Sequence, residues 1–186
     1  MTKTLSKWPT SHHFEAHFCR PDAPIQRQHY EPLVTGDYPT LLEINTAYGN
    51  RESASIIFAM LTDFALYCGG KDILSEGQRL QCANIIVESY PWLKITEIII
   101  FFHKLKAGHY GRFYGSQDPM FITESLKSFL EWRRGIYDKE ETRRLNERDR
   151  RETHDPNNMT RAEYEEIRQI EKMYEMPTRW NNYLRE

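Results

Sequence analysis

Ile98–Asp118 reads IIIFFHKLKAGHYGRFYGSQD, and the first half of that stretch decides the fold. Its β-branched residues would suit a strand. The segment is nevertheless too long and too well bounded for one. Thr96 offers an N-cap, and the lysines gather near the C-terminal end, where the helix dipole favours cations. Gly108 supplies a left-handed terminator. The reading is therefore a helix, and with it the chain is predicted to be all-α.

Working outward, the same periodicity recurs on both sides. Leu41, Leu42, Ile44 and Tyr48 fit a short helix ending at Gly49. Asn50 can cap the next, carried by Ile56, Ile57, Met60, Leu61, Phe64 and Leu66 as far as Gly69. Ser75 opens a third helix whose Leu80, Ala83, Ile86 and Val87 face one way, and Pro91 disfavours helix at Tyr90. Asp118 and Pro119 have the chemistry of a cap and a first helical residue. Phe121, Ile122, Leu126, Phe129, Leu130 and Trp132 then give a fifth helix its apolar face. These five form a compact helical core over residues 39–135.

The flanks differ from that core. Residues 1–38 carry four prolines and no sustained periodicity, so they read as an irregular arm laid over the core through Trp8, Phe14, Phe18 and Tyr30. Residues 136–186 read as a charged, projecting helical extension. From Asp138 to Glu152 only Leu145 among fifteen residues is strongly apolar, too little to bury a stripe. Thr160 and Glu163 then make a capping box that opens a last amphipathic helix through Tyr164, Ile167, Ile170 and Tyr174. Trp180, Tyr183 and Leu184 form an apolar hook beyond it.

Composition narrows the function classes. The 186 residues carry a net charge of −2, so no global field draws the protein onto nucleic acid or an anionic membrane. A mean hydropathy of −0.73 fits a core that occupies only part of the chain. No apolar run is long enough to span a bilayer, and no secretory leader pattern opens the sequence. Three widely spaced cysteines make no disulfide framework and no CxxC pattern. A cytoplasmic protein without membrane attachment is expected.

Three constellations could carry chemistry. The loop after Lys106 places glycines at 108, 111 and 115 with aromatics and cations between them, and no acid occurs from Ile98 to Gln117. Lys104, Lys106 and Arg112 could engage phosphate, with His109 beside them, while Tyr110, Phe113 and Tyr114 stack on bases. The plainer reading is a set of tight turns plugged by aromatics. The loop is neither a Walker sequence nor a dinucleotide fingerprint. His12, His13, His17 and Cys19 invite a metal reading, but the prolines nearby speak against the helix it needs, and no metal or cofactor is expected. The eight cations from Arg133 to Arg151 are offset by six acids from Glu131 to Asp149, the pattern of a solvated face. His103, His109 and Asp118 are too sparse to indicate an enzyme.

The run from Glu97 to Pro119, EIIIFFHKLKAGHYGRFYGSQDP, continues with Ile122, Leu126, Phe129 and Arg133. It resembles a loose consensus in small helical proteins of bacterial phages and mobile elements, over about residues 75–145. The resemblance implies a setting in which such a protein assists a replicative helicase or blocks a host defence system, and it assigns no site residues.

The sequence thus predicts a non-catalytic interaction protein associated with nucleic-acid transactions, contacting single-stranded nucleic acid through the loop. The alternative is a protein-only adaptor or inhibitor that grips a protein partner, or a second copy as a homo-oligomer, through Tyr164, Ile167, Ile170, Tyr174, Trp180, Tyr183 and Leu184.

Overall fold

A computed structural model of the protein describes residues 3–19, 29–69, 74–111, 119–153, 159 and 161–174. The chain divides into two compact units, residues 1–140 and 141–186. Among the described residues there is no strand, and the one β-bridge is isolated. The protein is all-α.

The first unit is built around α7 (Ile95–Lys106). From Ile95 to Phe102 every residue of this helix is buried. A helix that is apolar all round belongs at the centre of a core, which is why the β-branched run is compatible with helix here. Around it stand α4 (Leu41–Tyr48), α5 (Glu52–Tyr67), α6 (Glu76–Ser89) and the first turns of α8 (Pro119–Thr153). Ile44, Ile57, Leu61, Phe64, Ala83, Ile122, Leu126 and Phe129 close on α7 in one hydrophobic cluster.

Local chemistry fixes the helix starts. At α4 the Glu43 amide donates to Thr40 Oγ1 at 3.2 Å, and the Thr40 amide returns a bond to Glu43 Oε2 at 2.8 Å. Ser75 and Gln78 make the same reciprocal box at α6. Two orphan amides are satisfied each time. The entries of α4 and α7 are also tied together, because Leu41 N–H donates to the Leu93 carbonyl and Ile95 N–H to the Pro39 carbonyl.

Several expectations are corrected. The arm is helical, with α1 (Lys3–Lys7), α2 (Ser11–Phe18) and α3 (Tyr30–Thr35). Phe14, Phe18, Leu33 and Val34 are core residues, so these elements belong to the first unit. Pro32 stands in the first turn of α3, where its missing N–H costs nothing. Asn50 does not cap α5; Arg51 holds that position. Thr96 does not cap α7, which starts after Lys94; its buried hydroxyl donates instead to the Leu33 carbonyl at 2.7 Å. Leu80, expected inside, is half exposed, and Cys82 is buried on that helix instead. The fifth helix does not end near Gly135, since α8 continues to Thr153.

The second unit holds the last part of α8 and α9 (Arg161–Tyr174). Its described residues, apart from Met159, are helical.

Candidate functional site

The face of α7 that meets α8 carries Glu97, Phe101 and Lys104, spaced four and three apart so that they share one side of the helix. Glu97 has no solvent exposure. Its carboxylate accepts from Arg133 Nε at 2.6 Å and from its own first-turn amide, Lys94 N–H, at 2.9 Å. The Tyr137 hydroxyl lies 2.7 Å from the Val34 carbonyl and 3.2 Å from Glu97 Oε1. Lys94 Nζ uses all three of its donors, on the Val34 and Gly36 carbonyls and on the Tyr137 hydroxyl. The Arg133 guanidinium is sandwiched between Trp92 and Tyr137. This network holds α3, α7 and α8 together. Sequence reading missed it. The available signal was Glu97 three residues after Lys94, the acidic half of a capping box.

Further along the same face the pattern changes. Lys104 is only 9 % exposed, and its ammonium lies 3.7 Å from the Trp132 ring centroid and 5.6 Å from that of Tyr30. Burial holds its pKa below the ordinary lysine range. Just beyond, α7 ends in a Schellman turn: His109 N–H donates to the Lys104 carbonyl and Gly108 N–H to that of Leu105, with Gly108 at φ +76°. The turn folds Tyr110 back onto Phe101, with ring centroids 5.8 Å apart. The Tyr110 hydroxyl is buried without a hydrogen-bond partner, and burial, then the charge of Tyr30, raises its pKa.

These positions correct the expected phosphate-binding surface. Lys104 does not stand beside Lys106 as an exposed cation. Two residues apart on a helix, the pair point to opposite sides. Lys106 is engaged with the Asp63 carboxylate and lies over the Tyr67 ring. Tyr110 packs inward and His109 is exposed. Arg112, Phe113 and Tyr114 lie outside the described residues, as does Asp118. His103 is exposed, meets the Tyr30 ring edge-on, and lines a cavity of about 210 Å³ with Cys19, Met60, Asp63 and Lys106.

The N-terminal histidines sit on α2, a helix the prolines permit because Pro9 precedes it. His13 Nδ1 is 2.8 Å from Thr10 Oγ1, and His17 tilts against Trp8. Among the described residues no three His, Cys, Asp or Glu side chains gather as metal ligands. No helix there is long and apolar enough to cross a membrane.

In the second unit, Tyr164, Ile167 and Ile170 lie along one side of α9 and are 57 %, 42 % and 48 % exposed. Arg161 and Glu165 pair across a turn at 3.2 Å. Tyr174 is the last residue of the helix, and Trp180, Tyr183 and Leu184 lie outside the described residues. Leu145, on α8, is also exposed.

Fold and surface together define an all-α protein with a paired, buried polar knot in one unit and an uncovered amphipathic helix in the other. The chain belongs to a family of unknown function (DUF6633), whose match covers residues 74–174, from the last residues before α6 to the end of α9. No curated protein matches the chain, and no solved structure does.

Proposed function

We propose that this is a non-catalytic interaction protein that grips a protein partner through the apolar stripe of α9. The observation that carries the reading is the exposure of Tyr164, Ile167 and Ile170 within their own unit. Residues spaced in threes and fours along an otherwise charged helix are the anchors by which a helix lies in an apolar groove. A second copy is the weaker occupant. Fourteen residues span about 21 Å, less than the three or four heptads a coiled-coil seam needs. The partner is thus a different protein with a groove of its own, the arrangement of an adaptor or inhibitor. A host defence complex as the target rests on the mobile-element resemblance alone.

The nucleic-acid reading has less behind it, because Lys104 is buried and Lys106 is already paired. Site-specific photo-crosslinking in cells tests the choice. A crosslinker at Ile170 is expected to give one discrete heterologous protein adduct that a crosslinker at Gln169, on the polar side, does not. Adducts to a second copy of the chain, or the same adducts from both positions, would overturn the reading.

A further inference from the structure

The cavity beside His103 adjoins a second one. Cys19, Met60 and Asp63 line both, so the two form one cleft: about 210 Å³ against α3 and α7, and about 430 Å³ between α2 and α5. Leu33, Ile99 and Phe102, all buried, give the first part its apolar wall, and Ile56 and Ala59 carry apolar surface into the second. An apolar cavity of about 150 Å³ accepts benzene, so the first part alone has room for a branched aliphatic chain or a single ring.

Charge is ordered along this cleft. Ile99, His103 and Lys106 are four and three apart on α7 and share one side, which places Lys106 and His103 at one end. Glu15 and His12, one turn apart on α2, stand at the other end, and Asp63 stands at the junction. The Cys19 thiol between them stays neutral at physiological pH, because burial, then the charge of Glu15, raises its pKa to about 12. Asp63 and Lys106 touch each other, and with the Asp63 side chain 69 % exposed their pair sits at the mouth. An ion pair so open to water contributes little. It resists a bare anion, which would leave Asp63 unpaired, and yields to a ligand that offers both charges.

We propose that the cleft binds a free α-amino acid with an apolar side chain. A touching cation and anion on the protein match neighbouring charges of opposite sign on the ligand, and an α-amino acid carries both on one carbon. Its carboxylate takes Lys106, with His103 beside it, and its ammonium takes Asp63 on the side toward Glu15. The side chain lies over Met60 against Leu33, Ile99 and Phe102. A simple carboxylic acid meets Asp63 and Glu15 with like charge, and a simple amine meets Lys106 the same way. The site is separate from α9 and does not depend on the partner proposed for that helix.

A proton–nitrogen NMR titration of the full chain tests this with leucine, phenylalanine and glycine. Two further probes are leucine without its ammonium (isocaproate) and leucine without its carboxylate (isoamylamine). Leucine or phenylalanine is expected to bind with a Kd below about 1 mM, shifting the amides of Cys19, Asp63 and His103 while those of α9 stay in place. Glycine, isocaproate and isoamylamine should each bind about tenfold more weakly or worse, since each lacks the apolar body or one charged contact. Asp63→Asn changes an exposed residue and should leave the fold intact, yet weaken the binding of leucine about tenfold. Three results overturn the proposal: no saturable shift with either amino acid up to about 10 mM, an analogue that binds as tightly as leucine, or undiminished binding by Asp63→Asn.

Discussion

At the scale of single residues, the molecule treats its buried ionisable groups in two ways. Glu97 shows the first. It is fully buried with both carboxylate oxygens engaged, so removing the charge should strand Arg133, whose side chain is only 20 % exposed. Glu97→Gln is expected to cost about 3 kcal/mol in urea unfolding, the lower end for a broken buried pair because Arg133 retains some water. The double change to leucines, Glu97→Leu with Arg133→Leu, should cost less than the single one. The thiols show the second way. Burial pushes Cys19 up to about 12 and Cys82 up to about 11, from an ordinary value of 9.0. The unfolded chain therefore loses these protons first as pH rises. The stability they contribute is fully present below pH 9 and drains away through pH 11 to 12, which chemical denaturation at stepped pH should record. At pH 8 both thiols should alkylate far more slowly in the native protein than in urea, with half-buried Cys68 reacting ahead of Cys82.

At the scale of elements, the helix ends carry definite energies. Gly108 stands at φ +76°, and a Cβ there would meet nothing within 4 Å. Gly108→Ala should therefore cost roughly 1 kcal/mol of purely conformational origin, and Gly108→Asn less, as read from denaturation midpoints. The helices α5 to α8 were legible because periodicity accumulates over many residues and the punctuation at Ser75 and Gly108 is local chemistry. Eight-residue α4 was legible through its stop at Gly49. The elements before it were not: α1 to α3, of five, eight and six residues, offer few repeats for a stripe, and they fold because Phe14, Phe18, Leu33 and Val34 find α7. Thr96 looked like a cap for the same reason: its true acceptor, the Leu33 carbonyl, is 63 residues away in sequence. The candidate site was half legible. The stretch from Lys104 to Tyr110 stood out by composition, but which of its side chains turn inward depends on Tyr30 and Trp132.

At the scale of the whole molecule, the family match and the folded core do not share an edge. Residues 74–174 contain α6 to α9, whereas Phe14, Phe18, Leu33, Leu41, Ile44, Ile57, Leu61 and Phe64 all precede them. A chain consisting of residues 74–174 alone would expose the inward sides of α6 and α7. Such a fragment is expected to lack a cooperative unfolding transition by circular dichroism, while a chain ending at Arg151 should melt within about 2 °C of the full protein. The second expectation follows because every buried residue in the described structure lies at or before Ile136.

The bond between Tyr137 and the Val34 carbonyl joins residues 103 apart, and it sets a schedule for synthesis. At 5–20 residues per second, the ribosome delivers Tyr137 about 5–20 s after Val34. For most of that interval the aromatic side chains of the first three helices are made but lack α7, and the Val34 carbonyl waits longer still for Tyr137. A nascent chain of this kind is a client for whatever holds hydrophobic segments at the tunnel exit, and its yield in a cell should depend on that waiting time as well as on final stability.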